Sequence, residues 1–212
     1  NQSKSEFVSF VAHELKTPMT SIKGYTELLL SGVTGTMNEQ QHAFLGTVRS
    51  NIDRMATLVS DLNDVTKLQT NNLHMEFSAV DFRNVITETL RPLHKQIEDK
   101  HQRIEMLTPR NMPDIWADQN RLIQVLTNLV SNAYKYTPPE GTITIKAEVI
   151  DHMLDAKGRD LGTFLQVSVS DTGIGMSSDD LAKLFTPYFR SSNPLAREQP
   201  GTGLGLTITQ GI

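Results

Sequence analysis

The stretch Phe7-Val8-Ser9-Phe10-Val11-Ala12-His13-Glu14-Leu15-Lys16-Thr17-Pro18-Met19-Thr20-Ser21-Ile22-Lys23-Gly24-Tyr25-Thr26-Glu27-Leu28-Leu29 decides how the first third of the chain folds. In it Phe7, Val11, Leu15, Pro18, Ile22, Tyr25 and Leu29 recur at steps of four and three, the spacing of one helix face. Ser31 to Asn38, with Gly32 and Gly35, is a loop signal. Beyond it Phe44, Val48, Ile52, Met55, Leu58 or Val59, Leu62 and Val65 repeat the helical spacing. Two long helices joined by a short loop pack antiparallel. A lone pair leaves half of its apolar surface wet. A second hairpin would cover that surface in a four-helix bundle, so a homodimer is expected.

The period changes after Thr70-Asn71-Asn72, which places a domain boundary near residues 69–73: residues 1–70 form the hairpin and 73–212 a second domain. His74 to Val80 alternates weakly and reads as a strand. Asp81 opens a helix carried by Val85, Ile86, Leu90, Leu93 and Ile97. Arg103 to Leu107 and Asp114 to Ala117 are strand candidates, and Asp118 caps a helix reaching about Tyr136. Thr142 to Val149 and Phe164 to Ser170 alternate cleanly around a polar loop and read as an antiparallel pair. Ser177 to Phe185 reads as a short helix and Ser191 to Gly201 as a polar loop. The expected fold is multidomain: an all-α hairpin, then an α+β layer with helices on one face of a mixed sheet.

Composition narrows the function. In 212 residues, 20 Lys plus Arg stand against 24 Asp plus Glu, a net charge of −4, so nothing points to nucleic acid or an anionic membrane as a partner. No apolar run approaches the roughly 18 residues of a membrane span, and no secretory signal opens the sequence. The absence of Cys removes disulfides, thiolate zinc sites and cysteine nucleophiles.

On the first helix His13 lies about 160° from the centre of the apolar stripe, so it points outward, and Thr17 follows one turn later. An isolated surface His is usually only that, and His42, His74, His94, His101 and His152 read so. His13 differs in having Glu14 beside it. A neutral imidazole, with a reference pKa of about 6.5, carries a free lone pair, and a neighbouring carboxylate can hold its other N–H. The pair is a reasonable phosphoryl acceptor. A zincin reading fails because Thr17 stands where the second His is needed. Pro18 within the helix costs about 3 kcal/mol or more.

Three fragments of the second domain bear on chemistry. Asn128, Asn132 and Lys135 share one edge of a helix: Asn oxygens suit Mg²⁺ and Lys suits phosphate, although a solvated edge looks the same. Asp171-Thr172-Gly173-Ile174-Gly175-Met176 follows a strand. Its carboxylate could accept from the exocyclic amine of adenine while glycines let a flat ligand approach, or it could be a plain turn. Gly201-Thr202-Gly203-Leu204-Gly205-Leu206 opens a helix, where backbone N–H groups favour an anion, and Arg190 precedes it. Neither a P-loop nor a dinucleotide fingerprint is present.

In this order the fragments resemble the two-component sensor histidine kinases over nearly the whole chain. His13-Glu14-Leu15-Lys16-Thr17-Pro18 resembles the phosphoacceptor box, Asn128 to Thr137 the asparagine box, and Asp171 to Met176 the first glycine box. Phe185 to Arg190 resembles the phenylalanine box and Gly201 to Leu206 the second glycine box. The resemblance implies a dimerisation and histidine-phosphotransfer hairpin, then an ATP-binding domain of the Bergerat fold, with ATP and Mg²⁺ as cofactors. By motif match, His13 accepts the γ-phosphoryl group, Glu14 orients or deprotonates it, and Thr17 aligns water for dephosphorylating a partner response regulator. Asn132 with Asn128 holds Mg²⁺, and Lys135 and Tyr136 meet the phosphates. Asp171 reads adenine, with Gly173 and Gly175 giving room, and Arg190 neutralises γ-phosphate charge. Gly201, Thr202, Gly203, Leu204 and Gly205 also bind the nucleotide, and residues from about 177 to 203 form a mobile lid over it. The implied partners are a second copy and a receiver domain, with no nucleic acid and no membrane contact by this segment. The implied compartment is the cytoplasm, for a parent protein that a plasma membrane can anchor. Two departures stand out. Tyr134 replaces an aliphatic residue and is expected to pack. The sequence stops at Ile212, so the resemblance implies a C-terminally truncated domain. Rival readings are an ATPase of the same nucleotide-binding fold, a protein acting mainly as a phosphatase, and a dimeric scaffold.

Overall fold

The computed structural model describes residues 2–212, with side chains for residues 7, 8 and 10–212. The chain separates into two compact units, Asn1–Leu73 and His74–Ile212.

The first unit is a helical hairpin of α1 (Gln2–Leu30) and α2 (Glu39–Gln69). Asn38 opens α2 with a capping box: its Oδ1 accepts from Gln41 N at 2.8 Å, and Gln41 Oε1 accepts from Asn38 N at 2.9 Å. The Thr-Asn-Asn stretch closes α2. Asn71 adopts φ 53°, its N–H donates to Leu68 O, and Asn72 N–H donates to Lys67 O at 2.9 Å, a Schellman motif. Lys23 Nζ meets Asp53 Oδ1 at 2.8 Å across the pair.

The buried seam is narrower than the sequence stripe. Among the described residues, those buried are Ala12, Met19 and Thr26 from α1, at steps of seven, and Ile52, Asp64, Val65 and Thr66 from α2. Phe7, Leu15, Ile22, Tyr25 and Leu29 are exposed, as are Phe44, Val48, Met55 and Leu58. The physical reason is geometric. One neighbouring helix covers a strip only a few side chains wide, and these helices are apolar over a broader arc.

The second unit begins with β1 (Ser78–Val80), α3 (Phe82–Leu90), α4 (His94–Asp99), β2 (Arg103–Leu107) and β3 (Ile115–Ala117). Then come α5 (Gln119–Tyr136), β4 (Thr142–Ile150), β5 (Phe164–Asp171), α6 (Ser178–Leu181), α7 (Pro194–Arg197) and α8 (Gly205–Gly211). The strands form two sheets rather than one. β1 pairs antiparallel with β3, while β2–β4–β5 is mixed: β2 is parallel to β4 and β4 antiparallel to β5. The alternation of β4 turns Ile143, Ile145 and Ala147 fully inward, and Val169 and Val167 of β5 stand opposite the last two. Val85 and Ile86 of α3, and Leu126 and Val130 of α5, close over that face. Burying each such side chain contributes roughly 1.5–3 kcal/mol. On β3, Trp116 faces outward and is 74% exposed.

Several sequence expectations are corrected. The helix expected through Leu93 and Ile97 is two helices, because Pro92 has no N–H to continue the first. The strand expected from His74 is only Ser78–Val80, the length of its partner β3. The helix after Ser177 gives way past Leu181 to turns closed by three-residue bonds such as Lys183 N–H to Asp180 O, ahead of Pro187. The loop after Ser191 holds α7, started by Asn193, whose Oδ1 accepts from Leu195 N, and by Pro194.

Candidate functional sites

In the hairpin unit, α1 runs unbroken through Pro18. Near the proline, Thr20 Oγ1 donates to Lys16 O at 2.9 Å and Ser21 Oγ donates to Thr17 O at 3.3 Å. His13 points outward, its side chain 78% exposed, with Nδ1 3.4 Å from Glu14 Oε1. Thr17 is exposed one turn further on. This is an imidazole open to an incoming electrophile with a carboxylate at one ring nitrogen.

In the second unit the site is built around both ends of α5. Asp118 caps its start, accepting from Arg121 N at 3.1 Å and, through its other oxygen, from Glu76 N at 2.9 Å. Burial pushes the Asp118 carboxyl up. The N–H groups of Glu76, Arg121 and Asn120, with the Arg121 charge, outweigh that and hold it below the ordinary aspartate value. Along the edge of α5, Asn128 Nδ2 donates to Gly205 O at 3.1 Å and reaches Thr209 Oγ1 at 3.4 Å. A Cβ on Gly205 would sit 3.2 Å from Asn128 Oδ1. Asn128 therefore fastens α8 to α5. Asn132, half-buried one turn later, makes no side-chain hydrogen bond among the described residues, and its oxygen suits a hard cation.

The C-terminal end of α5 meets the turn after β5. Ile174 N–H donates to Tyr136 O at 3.1 Å. A Cβ on Gly173 would fall 2.5 Å from Tyr136 O and 2.6 Å from Asp171 Oδ1, so only glycine fits. Asp171, exposed at the end of β5, uses Oδ1 to accept from Gly173 N at 2.8 Å, and its second oxygen has no protein hydrogen bond among the described residues. Gly175 adopts φ 66°, and a Cβ there would meet nothing within 4 Å, so the space beside this turn is open. An acceptor carboxylate beside open, side-chain-free backbone fits an adenine ring.

The remaining candidates lie in the segment before α8. Gly203 has φ 72°, and its carbonyl accepts from Tyr188 N at 2.9 Å. Thr202 Oγ1 accepts from Leu204 N at 3.1 Å, and Leu204 is buried. Gly201 stands in open space. Arg190 donates to Arg197 O at 3.1 Å and Gln199 O at 2.6 Å, so its guanidinium closes its own loop.

Sequence reasoning missed two residues. Lys100 Nζ donates to Tyr134 O at 2.8 Å and Thr137 O at 2.7 Å, and lies 4.8 Å from the centre of the Tyr134 ring. Gln102 Nε2 donates to Thr137 O at 2.7 Å and Tyr134 O at 3.1 Å. The signal was in Pro138-Pro139, which deny the end of α5 its usual donors. Tyr134, expected to pack, does so beneath an ammonium group.

Comparison with known proteins follows the same division. Residues 3–71 match the His Kinase A (phospho-acceptor) domain, and residues 117–212 match the histidine kinase-, DNA gyrase B-, and HSP90-like ATPase domain. The chain is 33% identical over its full length to drug sensory protein A of Synechocystis sp., covering 32% of that protein. It is 35% identical over 98% of its length to sensor histidine kinase GacS of Pseudomonas protegens, covering 22% of it. It thus spans a third or less of the length of these relatives. Among solved structures, full-length ShkA in complex with AMPPNP aligns over 97% of this chain and 40% of its own, at TM-score 0.73 and 24% identity, a likeness of fold. The catalytic domain of histidine kinase ThkA aligns over 65% of this chain and 80% of its own, at TM-score 0.51 and 30% identity.

Proposed function

This chain belongs to the two-component sensor histidine kinases, as their phosphoacceptor hairpin followed by their ATPase domain, and from that premise we propose that it phosphorylates itself on His13 with ATP and passes the group to an aspartate of a response regulator. The observation that carries the reading is the outward His13 imidazole with Glu14 at its Nδ1, in a chain whose other unit presents Asp171 beside open glycine backbone.

Glu14 holds the Nδ1 proton, which leaves the Nε2 lone pair free to attack the γ-phosphorus. The bond from that phosphorus to the β–γ bridging oxygen breaks, and ADP leaves with the electron pair. Excess positive charge on the ring is relieved as Nδ1 gives its proton to Glu14. Asp171 accepts from the adenine amine. Asn132 suits Mg²⁺, which when bound neutralises phosphate charge. Lys135 and Tyr136 border the phosphates, and residues 177–203 with Arg190 form the lid. Asn128 is committed to α8 through its amide nitrogen, so its share in holding Mg²⁺ is through Oδ1 alone. The broad exposed faces of α1 and α2, with Phe7, Tyr25 and Phe44, support a homodimer. Thr17, exposed one turn from His13, favours a second activity, dephosphorylation of the regulator. No described helix is long and apolar enough to cross a membrane. An ATP-dependent reaction of this kind belongs in the cytoplasm.

Incubation with γ-labelled ATP and Mg²⁺ tests this. The label is expected to be acid-labile and base-stable, and absent from His13→Gln while nucleotide binding survives. Label retained by that variant would remove His13 from the role.

A further inference from the structure

Pro138 and Pro139 create a specific problem at the end of α5. In a continuing helix, the N–H groups of residues 138 and 139 would cap the carbonyls of Tyr134 and Lys135. Proline has none. Pro138 also drives the residue before it out of the helix, and Thr137 is indeed extended at φ −87°, ψ 129°. The last turn of the asparagine-bearing helix is thus left with carbonyls that its own chain cannot satisfy, in a half-buried place.

Another segment supplies the donors. α4 ends in a Schellman motif: His101 takes φ 54°, its N–H donates to Glu98 O at 2.8 Å, and Gln102 N–H donates to Ile97 O at 3.1 Å. That left-handed residue, unfavourable for a side chain other than Gly or Asn, turns the chain sharply into β2. It delivers Lys100 and Gln102 together to the end of α5. Lys100 Nζ takes the carbonyls of Tyr134, Thr137 and, at 3.4 Å, Lys135. The remaining carbonyl of that turn, Tyr136 O, receives Ile174 N–H from the turn that holds Asp171. Lys100 O in turn accepts from Glu140 N at 3.2 Å, which fastens the chain beyond the prolines.

We infer that Lys100 is a positioning residue of the nucleotide site, its ammonium, beside the Gln102 amide, replacing the cap that the two prolines remove and so holding Tyr136 against Gly173 and Ile174. It touches no substrate. It fixes the spacing between the face carrying Asn132 and Lys135 and the turn carrying Asp171. The inference rests on the nucleotide reading given above.

The test uses the full chain and compares Lys100→Met with Val85→Ala, a truncation in the core on α3, outside the hydrogen bonds of this turn, that sets the baseline for mere loss of stability. Well below both melting temperatures, Lys100→Met is expected to raise the KM for ATP about tenfold or more. The kcat at saturating ATP should stay within about threefold, because no reacting group is removed. Val85→Ala should leave KM unchanged. Hydrogen exchange at the Ile174 amide, measured without nucleotide, is expected to speed up at least about tenfold in Lys100→Met and not in Val85→Ala. If Lys100→Met does not fold, Lys100→Gln, with a donor on a shorter arm, should show the same changes in weaker form. A KM matching that of Val85→Ala, or unchanged Ile174 exchange, overturns the inference. If the unsubstituted chain binds no nucleotide, the nucleotide reading falls, and the Ile174 exchange still decides whether Lys100 holds the turn.

Discussion

Gly203 is locked against Tyr188. Tyr188 N–H donates to the Gly203 carbonyl at 2.9 Å, and a Cβ on residue 203 would lie 2.7 Å from the Tyr188 carbonyl carbon. Residue 203 also sits at φ 72°, and Tyr188 at φ 65°. Gly203→Ala is therefore expected to be strained by roughly 1–3 kcal/mol and to force the two backbones apart. Thermal unfolding should shift downward and nucleotide affinity should fall, while Gly201→Ala, in open space, should change stability little. Equal melting temperatures for the two variants would contradict this account.

Asp171→Asn separates ligand recognition from loop architecture. Asparagine keeps an oxygen that can accept from Gly173 N, so the fold should hold its melting temperature. The variant loses an acceptor-only group and gains an amide donor. ATP affinity is expected to drop by about tenfold, while a nucleotide with a 6-oxo base gains relative to ATP. Calorimetric titration with both nucleotides checks the reversal. An unchanged preference for ATP counts against Asp171 as the adenine reader.

Asp118 makes the second unit sensitive to acid. Its folded pKa lies below the unfolded value of about 3.9, so the stability it contributes is complete above that value. That stability is lost as the pH falls through the depressed folded value, where the unfolded chain already holds the proton. Asp118→Asn should lower stability at pH 7 and flatten its dependence on pH below about 4. Urea unfolding of both proteins at pH 7 and pH 3 measures this. Parallel losses across that interval would exclude Asp118 as the source.

Asn128→Ala tests whether this residue holds a helix. Its amide links α5 to the Gly205 carbonyl. Removing it is expected to cost about 1 kcal/mol and to make the segment near α8 easier to cleave by a protease. If its chief role were in cation binding, the Mg²⁺ requirement would change with no shift in melting temperature.

Where signals were local, the sequence was legible. Asp81, Asp118 and Ser177 announce helix starts by reaching only two or three residues ahead, and the alternation Ile143-Thr144-Ile145 announces which side of a strand is buried. The outward direction of His13 was legible because helical phase alone turns it away from the apolar stripe. Long-range partnerships were less legible. Nothing near Lys100 reveals that it serves carbonyls more than thirty positions later, and the bond from Asn128 to Gly205 spans 77 positions. The hairpin shows a third kind of gap. Periodicity marked a broad apolar arc, but which strip the one neighbouring helix covers is set by how the two helices pack: Ala12 and Met19 are buried while Phe7 is exposed.

Trp116 carries a practical consequence. It is the chain's sole tryptophan, and its indole is already bathed in water in the folded protein. Its emission should be red and should move little on denaturation, so a melting curve drawn from that fluorescence would stay nearly flat while the layer around Ile145 came apart. Peptide circular dichroism, dominated by two helices of 29 and 31 residues, is the signal to follow.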